Sequence, residues 1–388
     1  MNLLTIALVC ASIQVVAIVV AGLRSRHVLN FAHQPKATLS TYPTASIVVP
    51  ACNEQETIGP ALRKLSAIEY PHLEIIVVND RSSDQTGPMI DEAAAQDPRI
   101  KAVHNNDLPS GWLGKVHALH LGQQASVSDW ILFTDADVHF NPDALEQTIA
   151  FCEQEGIDHL AVCPDLSGRS EFANSLIAHF HMILMFLVSP RAVKDPKKPD
   201  GVGVGAFNLV RRQTLEASQG FEWLRLEVAD DFALGTVLKA AGGRGKIMHG
   251  PQLAQVEWYP SIAAMIHGFE KNAYSVLGHY SPLKAIAKLI GGSLPIILPI
   301  AMLPWTFDHL LGWVAVGAPL IVYWTVGWSL AQRIGWPYHR FLIAPFTSPL
   351  LAIALVNGLV KSLQRGGIEW RGTTYSNAEL RAAQRIKL

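Results

Sequence analysis

From Leu4 to Gly22 the chain carries no charged residue, a run of about the length that spans a bilayer. In hydrocarbon every backbone polar group must be satisfied internally, so such a run is expected to be a helix. No Lys or Arg precedes it, which argues against a cleaved signal peptide, whereas Arg24, Arg26 and Lys36 follow. The positive-inside bias then places the N-terminus outside and the chain from Arg24 onward in the cytoplasm. Three further apolar stretches come late, at 286–305, 311–331 and 341–363. The first and third are interrupted by Pro295, Pro299 and Pro304, and by Pro345 and Pro349, as kinked, re-entrant or interfacial segments are. The basic residues Arg333 and Arg340, then Lys361, Arg365, Arg371, Arg381, Arg385 and Lys387, all favour the cytoplasmic side. Three full crossings would put the tail outside, so one of the three stretches is expected not to cross. Composition agrees with a membrane protein: 49% of residues are hydrophobic and only 16% charged. The net charge of −1 argues against a nucleic-acid partner. Cys10, Cys52, Cys152 and Cys163 form no CxxC pair, which suits buried thiols in a reducing compartment.

The expected division is an N-terminal transmembrane helix (1–23), a linker (24–44), a cytoplasmic domain (45–282), a membrane region with two or three hydrophobic helices (283–364) and a basic tail (365–388). Within 45–282 short β-branched runs alternate with helical patterns. ASIVVP (45–50), LEIIVVND (73–80), Ile100–His104 and Trp130–Thr134 read as strands. Glu54–Leu65 and Lys115–Ala125 read as helices, RSSDQT as a helix start capped by Ser82, Ser83 or Asp84, and Asn141-Pro142-Asp143 as another start. Such alternation predicts an α/β domain with a doubly wound, mostly parallel sheet, whose ligands bind beyond the carboxyl ends of the strands. Asn53, Asp80, Asp135 and Asp137 then share one rim.

The strand Trp130–Thr134 runs into TDADV, where Asp135 and Asp137 stand two apart. One reading is a turn former beside a solvated acid. The other is a divalent Mg2+ or Mn2+ held by one or two carboxylates together with phosphate oxygens. Asp80 either accepts hydrogen bonds from a nucleotide or caps the next helix. Lys115, in GWLGK, either neutralises phosphate or is a surface lysine. Asp230 and Asp231 open an amphipathic helix bearing Phe232, Leu234, Val237 and Leu238, a place the helix dipole favours for acids in any case. Taken together, four acid sites at these spacings favour a metal–diphosphate site. His179 and His181 do not share a helix face and read as packing or interfacial residues. His117 and His120 lack a third ligand and read as structural. The apolar stretch 171–188 reads as a domain helix or as an interfacial one.

These motifs, in this order, resemble the inverting family 2 glycosyltransferases of GT-A fold. IVVPACNE resembles the family's first-strand element, VVNDRSSDQT its VVDDxSxDxT element, TDADV its DxD, 201–222 the stretch lining its acceptor side, and ADDFALG its ED-containing helix start. GWLGKVHAL, EWYPSIAAMIHGFEKNAY (257–274) and GIEWRGTTY (367–375) look like a bacterial membrane subgroup associated with hopanoid and carotenoid lipids. The resemblance implies that Pro50, Asn53, Glu54 and Asp80 contact the nucleotide of a nucleotide-diphospho-sugar donor, UDP-linked by expectation. It implies further that Asp135 lies by the ribose and diphosphate, Asp137 binds the metal, and Asp231 beside Asp230 is the catalytic base. Trp370, Arg371 and Tyr375 are candidates for closing over the site or anchoring at the interface. Cys52 stands where related sequences often have Arg. The QxxRW motif of processive synthases is absent, which favours transfer of one sugar to a lipid acceptor. Rival readings are a polyprenyl-phosphate acceptor, a nucleotidyltransferase, whose basic phosphate loop is replaced here by Ala51-Cys52-Asn53-Glu54, and an inactive membrane scaffold, which would be expected to have lost these acids. The resemblance places the protein in the inner membrane, multi-pass, with its catalytic domain in the cytoplasm.

Overall fold

The computed structural model describes residues 2–386 apart from 260, 273, 276 and 277. Lys387, counted above with the basic tail, and Pro260 and Ala273 of the 257–274 stretch lie outside the described residues. In chain order the strands are β1 (Leu29–Asn30), β2 (Ala45–Ala51), β3 (Leu73–Asp80), β4 (Ile100–Asn105), β5 (Trp130–Phe133), β6 (Val138–Phe140), β7 (His159–Cys163), β8 (Asp165–Gly168), β9 (Asn208–Arg211), β10 (Gly245–His249), β11 (Ala254–Tyr259), β12 (Gly367–Trp370) and β13 (Thr373–Ser376). Eight form one sheet in the order β1-β10-β7-β9-β5-β2-β3-β4. All its pairings are parallel except those of β9 with β5 and β7.

Both faces of the sheet are covered, which is why its strands read as unbroken apolar runs rather than alternating ones. Ile47, Val49, Ile75 and Val77 pack in one cluster with Ile58, Leu62, Ile90 and Ile149 from three helices. Val48, Ile76 and Val78 point the other way, onto Val116 and Leu119 and toward Leu234 and Leu238. The sequence boundaries hold to within a residue for β2, β3, β4, β5 and the helix Gly114–Ala125. The helix expected from Glu54 begins only at Ile58. Pro60 explains the delay: it is tolerated in the first turn but would break a helix interior. Before it, the Glu54 amide donates to Thr86 Oγ1 at 2.7 Å instead of to a helix carbonyl. The helix after β3 starts at Thr86; Ser82 and Ser83 are engaged by Asn53, and of the three expected caps it is Asp84 whose carboxylate accepts the Thr86 amide, at 3.0 Å.

Among the described residues four helices are long and apolar enough to cross a membrane: Leu3–Ser25, Pro282–Trp305, Leu310–Ile334 and His339–Arg365. The first runs antiparallel to the second, since Leu8 clusters with Met302 and Gln14 Nε2 donates to Pro295 O. It runs parallel to the third, with Ala7 and Ala11 against Ala315, and Gly22 against Val326. The C-terminal ends of both meet the α/β domain: Asn30 Nδ2 donates to Arg333 O at 3.1 Å, and His249 Nε2 lies 3.0 Å from Ile334 O. The fourth stretch differs. It is a short turn (His339–Ile343), a 3-10 segment (Ala344–Thr347) and an 18-residue helix (Ser348–Arg365), broken where Pro345 and Pro349 predict. Both its ends touch the domain, His339 at Glu171 (2.7 Å) and, beyond Arg365, a β12–β13 hairpin that lies on the sheet's rim. Its helix, about 27 Å long at 1.5 Å per residue, packs Leu351 and Ala354 on Leu176, Met265 and Phe269 of the domain.

Candidate active site

The carboxyl ends of β2, β3 and β5 open onto a cleft of about 310 Å³. Pro50, Glu54, Asp80, Lys115, Asp135 and Asp137 line it, and Trp370, Arg371 and Tyr375 of the hairpin cover it. Asp230 and Asp231 line a small recess beside it, which Lys115 and Asp135 share. Of the residues singled out from sequence, Asn53 alone is not on these walls. Its backbone adopts a positive φ of 54°, and its side chain accepts from the Ser83 amide at 2.9 Å, tying the loop after β2 to the loop after β3.

Asp80 is buried at the end of β3, and its carboxylate is fully engaged. Arg81 chelates it through Nε (3.0 Å) and Nη2 (2.9 Å), while Asn105 Nδ2 donates at 2.7 Å. Arg81 can turn back on its neighbour only because its own φ is +56°, a strained value for a side-chain-bearing residue. Its remaining nitrogen reaches Thr373 Oγ1 of the hairpin at 3.3 Å. Arg371 pairs with Glu54, and the Gly114 amide donates to Tyr375 Oη at 3.2 Å. Thus the hairpin is fastened across the β2 and β3 ends at three points. Burial and nearby Asp80 push the Cys52 thiol up from its ordinary value.

Asp135 and Asp137 differ in their partners. Lys115 Nζ sits 2.7 Å from Asp135 and 3.5 Å from Asp230, bridging the rim to the recess. Burial works against the ammonium charge, but Asp135, Asp230 and Asp231 outweigh it and hold the Lys115 pKa above its ordinary value. Asp137 has no cationic side chain within ion-pair distance among the described residues. Burial first, then Asp135 and Glu54, raise its pKa to about 7. A partly buried carboxylate that the protein itself leaves without a counter-charge is the donor chemistry a hard divalent cation requires. Among the described residues no group of three or more His, Cys, Asp or Glu is placed to hold a metal. The protein thus offers at most a carboxylate pair, and a cation here needs further oxygens from a ligand.

Asp231 is fixed by two amides: Gly205 N–H donates to Oδ2 at 3.0 Å and Phe232 N–H to Oδ1 at 2.8 Å. Withdrawal from water, then the Asp230 charge, push its pKa up to about 6. The glycines of GVGVG make this possible. A Cβ on Gly203 would lie 2.1 Å from the Asp231 carbonyl oxygen, and one on Gly201 2.2 Å from that of Gly235.

Sequence reasoning gave no role to Arg81, Trp258 or Tyr259. The latter two end β11 and line the same cleft. Asp137 and Asp135 add to burial in raising the Tyr259 pKa to about 12. Trp258 packs on Phe180 (4.8 Å between centroids) and Phe269 (5.8 Å), so the cleft wall is continuous with the apolar cluster under the Ser348–Arg365 helix. His179 stacks on Tyr323 and His181 meets Trp336 edge to face, so of the two expected roles, packing or interfacial, both take packing ones. The Glu171–Leu187 helix is therefore a domain helix whose flank contacts the membrane helices.

A doubly wound, mostly parallel sheet with a DxD at the end of a central strand and an acid pair opening a neighbouring helix defines the GT-A nucleotide-diphospho-sugar transferases. Residues 46–217 match the profile of "Glycosyl transferase family 2", which supports a bacterial family 2 glycosyltransferase. It is similar to 4,4'-diaponeurosporenoate glycosyltransferase of Staphylococcus aureus strain bovine RF122, with 25% identity over 90% of this chain and 93% of that protein. The protein of the same name from strain MRSA252 matches equally, at 25% identity over the same shares of both chains. In fold it is similar to a mannosyltransferase from Pyrobaculum calidifontis solved with GDP-mannose and Mn2+ (TM-score 0.55, 19% identity, 92% of this chain and 99% of that one).

Proposed function

We propose that this glycosyltransferase is a membrane-bound, inverting enzyme that moves a single sugar from a nucleotide-diphospho-sugar to a carotenoid, hopanoid or related lipid. One observation carries the reading: the cleft that gathers Asp135, Asp137, Lys115 and the Asp230–Asp231 pair is lined also by Trp258 and Tyr259, which continue into the apolar cluster below the membrane helices. A soluble acceptor would have no use for that continuity. The S. aureus relatives' printed name, that of a carotenoid acid, supports a lipid acceptor.

The nucleotide lies toward Pro50, Glu54 and Asp80, under Trp370, Arg371 and Tyr375. When bound, Mg2+ or Mn2+ on Asp137, with Asp135 beside it, supplies Lewis-acid stabilisation of the leaving diphosphate. Lys115 adds a fixed positive charge at the same edge, already in place before reaction. Asp231 takes the proton of the acceptor hydroxyl as its oxygen bonds to the anomeric carbon and the bond to the diphosphate oxygen breaks. The two amides on Asp231 use one lone pair of each oxygen and fix its orientation, leaving the others for that proton. Attack from the side opposite the nucleotide inverts the anomeric centre.

In the membrane, Leu3–Ser25, Pro282–Trp305 and Leu310–Ile334 cross, and His339–Arg365 lies along the domain without crossing. The domain and the basic tail then share the cytoplasmic side of the inner membrane, which removes the conflict posed by three late crossings. Membranes bearing the protein, incubated with radiolabelled UDP- and GDP-sugars and extracted for lipid, test the reading. Label in a carotenoid or hopanoid fraction is expected; label in a polyprenyl phosphate would redefine the acceptor, and label only in water-soluble product would overturn the lipid assignment.

A further inference from the structure

The loop 224–229 leads directly into Asp230 and Asp231, and its middle residue is a buried acid. Glu227 is 3% exposed, and no lysine or arginine lies within ion-pair distance of its carboxylate among the described residues. It faces the end of the described chain instead. Its Oε2 accepts the amide of Arg385 at 2.9 Å and that of Ile386 at 3.3 Å. Around this contact Ile386 is itself buried among Phe221, Leu224 and Val228, and the Arg385 guanidinium lies 5.4 Å over the Trp223 ring. The loop is also tied from its other edge: Leu113 N–H donates to Arg225 O at 2.7 Å, immediately before Gly114 and Lys115, and the Arg225 guanidinium lies 6.0 Å over the Trp112 ring. A buried carboxylate is costly unless its lone pairs are used, and here backbone amides use them.

Glu227 touches none of the cleft or recess walls, so substrate does not account for it. We infer that Glu227 is a positioning residue: by clasping the backbone at 385–386 it bolts the 384–386 segment onto the 224–229 loop, and so sets where the helix bearing Asp230 and Asp231 begins. This rests on Asp231 being the base of the proposed reaction, although the clasp itself does not. The acceptor is specific in kind. What is needed is an oxygen able to take two amides, not a charge, so Gln serves in place of Glu and Ala does not.

The full-length protein in detergent micelles supplies the test, with Glu227→Gln, Glu227→Ala, a chain ending at Gln384, and Glu227→Ala in that shortened chain. Hydrogen exchange over 224–235 is expected to rise about tenfold in Glu227→Ala and in the shortened chain, the scale of one charge-assisted hydrogen bond. β2 and β3 should keep their protection. The combined variant should be no worse than either change alone, because both remove one contact. Glu227→Gln should stay within about threefold of wild type, a fold-change small on that same scale. Turnover of whichever nucleotide sugar labels lipid is expected to lose kcat with unchanged donor KM. Additive effects of the two changes, or unaltered exchange over 224–235 in the shortened chain, overturn the clasp. If wild type transfers no sugar from any donor of the panel while the exchange pattern holds, the functional reading fails and the clasp stands.

Discussion

Asp231 carries the heaviest chemical demand of any single residue in the cleft. Replacing it with Asn keeps the side chain's shape and one of the two amide contacts but removes the proton acceptor. Turnover is expected to fall about 10²–10⁴-fold, with nucleotide affinity retained when measured by titration. Retained turnover would mean that the acceptor arrives already ionised, as a carboxylate does. The pH profile follows from the same residue. A base must be deprotonated, and the Asp231 pKa is raised to about 6, so kcat is expected to fall as pH drops through about 6 and to level off above it. Asp137→Ala tests the other carboxylate: Mn2+-dependent nucleotide binding should be lost, while any metal-independent binding stays. Asp135, Asp137, Asp230 and Asp231 were legible in the sequence because strand ends and helix starts are local signals. Arg81 was not, since its grip on Asp80 depends on a positive φ that nothing in RSSDQT announces. Asn53 stands at the same rim, with its Oδ1 turned toward the Ser83 amide by its own left-handed backbone.

At the level of elements, the GVGVG loop and the helix Asp230–Ala240 lie too close for side chains between them. Gly203→Ala would press a methyl into the Asp231 carbonyl; overpacking of this kind costs about 1–3 kcal/mol. Because the displaced element holds the base, activity is expected to fall further than thermal stability, which melting and turnover assays together would reveal. The β12–β13 hairpin is held partly by Arg371, about half exposed, against Glu54. Such a pair contributes at most about 1 kcal/mol to stability. Arg371→Ala should leave the melting temperature nearly unchanged and raise donor KM by about fivefold, the same energy expressed in binding. The strands of the sheet were readable because each is an apolar run ended by polar residues. The hairpin's place was not, since covering the cleft from 367–376 depends on contacts nearly three hundred residues apart, such as Arg81 to Thr373. Trp258 and Tyr259 were hidden for the same reason.

For the whole molecule, the apolar stretches fixed the presence of membrane helices but not their count, because hydropathy cannot separate a crossing from a helix laid against a protein face. The contacts at both ends of His339–Arg365 support the proposed arrangement in which it does not cross. Asp308→Cys, in the turn between the second and third helices, should react with a membrane-impermeant maleimide on intact spheroplasts. His339→Cys should react only after permeabilisation, each compared with the wild-type cysteines. Labelling of both before permeabilisation would contradict the three-crossing arrangement.

The hairpin that covers the nucleotide side follows all four apolar helices in the chain. A ribosome therefore finishes the sheet, its acids and every bilayer segment before the covering strands exist. Until residues 367–376 emerge, Glu54 and Arg81 lack their hairpin partners Arg371 and Thr373, although every apolar helix has already been made. If the proposed donor site needs this cover, transfer cannot begin until the bilayer segments have been synthesised.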